Sequence, residues 1–235
     1  VYRWEAHREE RFSWWESRIE RALVLLDRLR LDHFRGFVQH WEVPAGAATA
    51  QNGRWVDAPG RELLTHLVRS RPCLPIIAED LGYITPDVRE MMALFGFPGM
   101  RVLLFGFDGD IAENLHAPHN IGRNCVTYTG THDNNTVRGW FEHEITDRQK
   151  DLLFRYIGGS VSADQVHRIL VRLAMLSPAE TVIIPMQDIL GLGREARMNQ
   201  PATAKGNWEW RLRPEQMREE AMQEFAGMAE VYGRS

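Results

Sequence analysis

Cysteine is scarce in this chain of 235 residues: Cys73 and Cys125 stand alone, without CxxC spacing. Two isolated thiols exclude a disulfide framework and fit a reducing compartment, so a cytoplasmic location is the expectation. An excess of one charge is also missing, with 28 Lys and Arg against 32 Asp and Glu and the basic residues scattered. Without a basic face to track a phosphate backbone, no nucleic-acid partner is expected. No apolar run approaches the roughly 18 residues that span a bilayer, so no membrane partner is expected either. The opening Val1-Tyr2-Arg3-Trp4-Glu5 has neither the apolar core of a signal peptide nor an initiating Met, and the expectation is a chain that starts in mid-gene. Internal repeats, low-complexity tracts and Gly-, Ser- or Pro-rich linkers are absent. One domain is therefore expected, and 44% hydrophobic residues supply an ample core.

What is present is an alternation of short apolar runs with amphipathic stretches, the pattern of βα units and a parallel sheet. Strands are predicted at 28–32, 74–79, 101–105, 125–130 and 181–186. Helices are predicted at 4–27, where Trp14, Trp15, Ile19, Ala22, Leu23 and Leu26 recur at three- and four-residue steps, and at 60–70, 86–95, 134–142, 147–157, 163–177 and 214–230. Thr85 before Pro86 reads as an N-cap followed by proline at the first helical position.

Polar residues gather where the apolar runs end. Asp32, Glu79 and Asp133 each follow a predicted strand and precede a loop, and in an α/β barrel that end of the strands is the face that carries active sites. One such acid has an ordinary structural explanation as a helix cap; three after three different strands point to chemistry. Arg30 and Asp32 share one face of their strand. A guanidinium beside a carboxylate keeps it ionised and oriented, as a nucleophile requires, or else forms a structural ion pair. Glu79 leaves an apolar strand, where desolvation would raise its pKa into the range of a general acid. Asp80 either adds a second charge there or bonds to loop amides. A His-Asp pair, His132 and Asp133, can hold vicinal sugar hydroxyls, and Asn134 or Asn135 is expected to cap the next helix. Two carboxylates on one glycosidic bond make the retaining mechanism: one attacks, the other protonates the leaving oxygen and then activates the acceptor. Trp41, Trp55, Trp208 and Trp210 fall in predicted loops and are candidates for stacking on glucose rings, whereas Trp14, Trp15 and Trp140 fall on helices and read as core.

These residues resemble the amylomaltase (disproportionating enzyme) family of 4-α-glucanotransferases. The resemblance runs through Arg30-Leu31-Asp32-His33-Phe34-Arg35-Gly36-Phe37, Trp41-Glu42-Val43-Pro44-Ala45-Gly46, Asn52-Gly53-Arg54-Trp55, Ala78-Glu79-Asp80-Leu81-Gly82, Phe97-Pro98-Gly99-Met100 and Pro118-His119-Asn120. It continues through Thr129-Gly130-Thr131-His132-Asp133-Asn134, Pro185-Met186-Gln187-Asp188-Ile189-Leu190-Gly191-Leu192-Gly193, Arg197-Met198-Asn199 and Gly206-Asn207-Trp208-Glu209-Trp210-Arg211. It implies an α/β fold of the (β/α)8 TIM-barrel type, with strands four to eight present. It also implies Asp32 as nucleophile, Glu79 as acid/base and Asp133 as transition-state stabiliser. Arg30 and His132 match residues that hold the donor sugar, and His33, Asp80, Phe105 and Asn199 match subsite positions. Malto-oligosaccharides and starch- or glycogen-derived glucans are the implied substrates, with no metal and no organic cofactor. The family's chain is about twice as long; its first part holds three barrel strands, an early substrate-binding Asp and a mobile loop, and this chain is expected to need that segment. One departure is local. Family members usually have Pro-Gly-Thr where this chain has Pro201-Ala202-Thr203, so Ala202 strains the loop if that position has φ > 0.

Three other readings compete. An α-amylase-like retaining hydrolase would use the same three carboxylates. A metal-dependent barrel hydrolase would use His33 and His132, but no His-x-His or His-Glu-x-x-His spacing occurs. A non-catalytic glucan-binding barrel would tolerate loss of the acids, and all three are retained.

Overall fold

Arg11 and Phe12 take φ values of 50° and 57°, and no regular helix passes through two successive left-handed residues. The predicted helix over 4–27 is therefore two, α1 (Trp4–Glu9) and α2 (Ser13–Leu25). The computed structural model describes residues 1–234. The chain divides into two compact units, Val1–Met100 and Arg101–Ser235.

In the first unit, β1 (Leu29–Leu31) leads into a short 3-10 turn, then β2 (Gln39–Glu42), β3 (Arg54–Asp57), α3 (Gly60–Ser70), β4 (Ile76–Ala78) and α4 (Pro86–Phe95). β1 and β4 are parallel, with Leu29 paired to Ile76 and Leu31 to Ala78. β2 and β3 form an antiparallel hairpin that the sequence pattern did not predict. Thr85 and Pro86 take the predicted N-cap and first helical positions of α4, but the Thr85 side chain makes no capping bond. One apolar cluster holds the unit together, with Phe34, Leu63, Leu64, Ile76 and Val88 at 2% exposure or less. Each such side chain stabilises the fold by roughly 1.5–3 kcal/mol relative to leaving it in water.

In the second unit, β6 (Cys125–Tyr128) and β7 (Thr181–Ile183) pair in parallel, and the sheet order is β5, β6, β7, β5 being the strand Gly99–Val102 on which the division falls. After β6 come α5 (Val137–His143), α6 (Asp147–Ile157) and α7 (Val166–Leu176); after β7 come α8 (Met186–Ile189) and α9 (Glu219–Val231). A strand stands near each of the five predicted places, with β1 and β4, and β6 and β7, in parallel; four are shorter than predicted, and β5 begins two residues before the predicted 101–105. The rest of the predicted 101–105 is a 3-10 turn, Leu103–Phe105, and the predicted 181–186 ends at the first residue of α8, Met186. The cap of α5 is Thr136, whose hydroxyl accepts the Gly139 N–H, and not Asn134 or Asn135. Asn134 instead accepts the N–H and hydroxyl of Thr131 and closes the turn that holds His132 and Asp133. No helix among the described residues is long and apolar enough to cross a membrane.

Candidate active site

The pairing of β1 with β4 places two of the predicted acids side by side. Leu31 and Ala78 are register partners, and Asp32 and Glu79 are the first residues beyond the two strands. Arg30 donates from Nη2 to Asp32 Oδ1 at 2.5 Å, so the predicted shared strand face is occupied by an ion pair, with the Asp32 carboxylate exposed. His33 is left-handed at φ 48°. That turn aims its main-chain N–H at Glu79, which accepts it on Oε2 at 2.7 Å; Glu79 Oε1 accepts the Leu81 N–H at 2.8 Å. The apolar setting expected for Glu79 is not what surrounds it. The side chain is half-buried at the strand end and both its oxygens rest on main-chain donors.

Asp80 follows Glu79 and reaches strand β5. Its Oδ1 accepts the Met100 N–H at 2.6 Å, and a Cβ on Gly99 would meet its carboxylate at 2.6 Å. Of the two roles expected of it, the bond to a main-chain amide is present, although the donor sits on strand β5 and not in a loop. Arg30, Asp32 and His33 border a cavity of about 510 Å³ whose other walls include Trp4, Trp15, Ile19 and Leu29.

In the second unit the loop after β6 carries another grouping. Asn199 donates from Nδ2 to Asp133 Oδ1 at 2.6 Å, and its N–H reaches His132 O at 3.0 Å. His132 Nε2 lies 3.5 Å from the same Asp133 oxygen, and the His132 ring rests 5.3 Å from that of Trp208. So His132, Asp133 and Asn199 come together, with Trp208 as an exposed aromatic wall. Phe105 stands edge-on to His116.

Two residues that carry this second grouping had no role in the sequence reading. Arg197 donates to Asp133 O, Asn199 O and Glu144 Oε1, at 2.8, 2.8 and 3.0 Å, tying two loops together. Asp188 is fully buried, accepting the Thr129 hydroxyl at 2.5 Å on Oδ2 and the Val137 N–H at 2.8 Å on Oδ1. Those two bonds grip both ends of the loop that carries His132 and Asp133. Burial pushes the Asp188 carboxyl up to about 6, against the opposing pull of Thr129 and Val137. The only sequence signal for Asp188 was an acid inside an apolar stretch.

Two histidines are held neutral. Burial, with Arg101 adding, lowers His116 to about 4, and its Nδ1 accepts the Val102 N–H. Burial first, then Arg168 and Arg218, lowers His167 to about 4. Gly191, at φ 66°, packs against His167 so closely that a Cβ would meet the ring at 2.6 Å. No group of three or more His, Cys, Asp or Glu with metal-holding geometry occurs among the described residues.

Parallel strands followed by helices, with acids and hydrogen-bonding side chains collected at the strands' C-terminal ends, define an α/β protein of the TIM-barrel type. Within that class the chain belongs to the 4-alpha-glucanotransferase family, glycoside hydrolase family 77, whose model matches residues 1–217. It is 46% identical to a 4-alpha-glucanotransferase of Aquifex aeolicus over 235 residues, all of this chain and 47% of that one. The amylomaltase of Streptococcus agalactiae, solved in complex with acarbose, superposes with a TM-score of 0.95 at 37% identity, covering 100% of this chain and 47% of that one. The amylomaltase of Corynebacterium glutamicum shares the fold at a TM-score of 0.75 and 19% identity, over 97% of this chain and 39% of its own. The chain spans about half the length of the curated relatives it matches.

Proposed function

We propose that this chain carries catalytic residues of a 4-α-glucanotransferase, which moves α-1,4-glucan segments between malto-oligosaccharides by a retaining double displacement. The observation that carries the reading is the register of β1 and β4. Neighbouring strands lie about 4.8 Å apart, so Asp32 and Glu79, each one residue beyond the paired Leu31 and Ala78, leave the sheet side by side, as two carboxylates that serve one glycosidic bond must.

In this reading Asp32, oriented by Arg30, attacks the anomeric carbon. Glu79 protonates the departing glycosidic oxygen and then takes the proton of the incoming sugar hydroxyl. For that, its carboxyl exchanges the His33 and Leu81 amides for the sugar oxygen. Asp133, braced by Asn199 and Arg197, receives hydroxyls of the reacting sugar and favours the charge that develops on its ring. Arg30 and His132 hold the donor, and His33, Asp80, Phe105 and Asn199 line subsites. Malto-oligosaccharides and longer glucans are the substrates. We read the two units as the C-terminal portion of a single catalytic barrel domain, and the remaining length found in the relatives as the segment that completes the site.

The experiment is to incubate the full-length protein with maltotriose alone. Glucose together with oligomers longer than maltotriose is the outcome for a transferase. Glucose and maltose without longer products would instead mark a hydrolase.

A further inference from the structure

Strand β2 turns its two faces to different surroundings. His40 lines the cavity that Arg30 and Asp32 border, and Trp41, the next residue, points to the opposite face by strand alternation. Trp41 stands directly across from Trp55 on β3, with ring centroids 5.3 Å apart and planes at 66°. Both rings are exposed, Trp41 by 39% and Trp55 by 47%.

Exposed side chains are ordinarily free to change rotamer, and these are held. Trp41 Nε1 donates to Ala50 O at 2.8 Å, and Gly53 packs so closely that a Cβ there would meet the indole at 2.4 Å. Arg35 covers Trp55, its guanidinium carbon 4.1 Å from the ring centroid. Arg35 is itself buried and anchored by a 2.8 Å bond to Tyr83 O, and the exposed Tyr83 ring lies 5.5 Å from the same guanidinium. Rings already fixed in place lose little entropy when a ligand settles on them.

The surroundings narrow the ligand. On the face that carries Trp41 and Trp55, Gln39 donates to Asp57 at 2.7 Å and the Arg35 guanidinium covers Trp55, so one carboxylate and one guanidinium flank the rings; Glu42 and Arg54, paired at 3.6 Å, fall on the other face. Angled aromatic faces beside an amide and one charge of each sign suit an uncharged chain whose rings have apolar faces and hydroxylated edges. An α-1,4-glucan is such a chain, and its curvature turns successive rings through an angle, as the two indoles are turned.

We propose that Trp41 and Trp55, with Tyr83 beside them, form a platform that binds the remote part of a long α-glucan, on the hairpin face away from the Asp32 cavity. The identity of the ligand rests on the glucanotransferase reading above. The test uses the full-length enzyme, its Trp41→Ala/Trp55→Ala variant and its Trp41→Phe/Trp55→Phe variant. With the alanine pair, KM for long amylose rises by about fivefold or more relative to KM for maltotriose, and retardation by amylose in a native gel is lost. The phenylalanine pair, which keeps an aromatic face, restores most of both. An unchanged ratio of the two KM values overturns the proposal. If the melting temperature falls with that ratio intact, the platform packs against another part of the protein instead. The gel measurement needs no turnover, so failure of the glucanotransferase reading shows separately, as absent disproportionation of maltotriose by the unsubstituted enzyme.

Discussion

The main-chain N–H of His33 donates to Oε2 of Glu79 at 2.7 Å, joining the turn after Asp32 to the carboxyl proposed as acid/base. One peptide unit thus couples the two acids. Movement of the His33 turn, whose left-handed φ of 48° is uncommon for a residue other than glycine, would move both partners of the displacement together.

Glu79→Gln in the full-length enzyme is expected to slow turnover of maltotriose by a factor on the order of 10²–10⁴. Glutamine keeps one acceptor oxygen for the amides but has no proton to give to a leaving sugar. A donor with an acidic leaving group needs no such proton in the first step, so its glycosylation rate should be largely spared. Equal losses on both donors would remove Glu79 from the acid/base role.

Asp32→Asn is expected to abolish covalent intermediate formation with any donor, the acidic leaving group included, because the amide is not a nucleophile. Intact-mass measurement after mixing with a slow-reacting glycosyl donor reads this directly. A glycosyl adduct on the Asp32→Asn variant would place the nucleophile elsewhere.

The strand ends were legible in the sequence because apolar runs such as Leu74–Ala78 stop abruptly at an acid, and strand period and polarity change at the same point. The hairpin was not legible. Gln39–Glu42 and Arg54–Asp57 contain no run of aliphatics, and only their pairing, Trp41 across from Trp55, makes them strands. The break at Arg11 and Phe12 was hidden because the residues whose spacing argued for the helix, Trp14 to Leu26, all lie on one side of it. Asp188 illustrates the harder limit. Its partner Thr129 lies 59 residues away, so only the folded chain shows that it grips the ends of the Asp133 loop. Glu79 was placed correctly at its strand end, but its neighbours were not predictable. The amides that hold it come from the left-handed turn at His33 and from its own loop, and neither donor has a side-chain signature.

The buried titratable groups of the second unit make opposing predictions in one pH window. His116 and His167, lowered from 6.5 to about 4, take up protons more readily unfolded, so their contribution falls as pH falls from about 6.5 toward 4. Asp188, raised from 3.8 to about 6, holds its proton more tightly folded, so its contribution falls as pH rises from about 4 to 6. Asp188→Asn removes the second effect alone. Its stability relative to the unsubstituted protein is expected to improve from pH 4 to pH 6, by on the order of 3 kcal/mol if the whole shift is realised. Melting temperatures of both proteins across that range give the difference, and a flat difference would show that Asp188 does not titrate there.

Ala202 has φ 63°, the left-handed region in which the family's usual glycine costs nothing and alanine is strained. The loop cannot relax around it easily. On one side Thr203 donates its hydroxyl to Gln200 O at 2.7 Å. Across the loop Asn207 accepts the Gln200 N–H at 2.9 Å and donates to Thr203 O at 3.0 Å. Ala202→Gly is therefore expected to stabilise, although less than the full relief of ~1–2 kcal/mol, because glycine also gains roughly 0.5–1 kcal/mol of freedom in the unfolded chain. A net gain below about 1 kcal/mol corresponds to a rise in melting temperature of roughly 1–3 °C. Ala202→Val should move the other way, since a β-branched side chain tolerates that φ worse than alanine. The same loop joins Asn199, which grips Asp133, to Trp208, which faces His132. Because the bonds of Gln200 and Asn207 hold its shape without help from residue 202, KM for maltotriose should stay within about twofold in the glycine variant. A glycine variant that melts lower than the unsubstituted protein would show that residue 202 is not left-handed in solution.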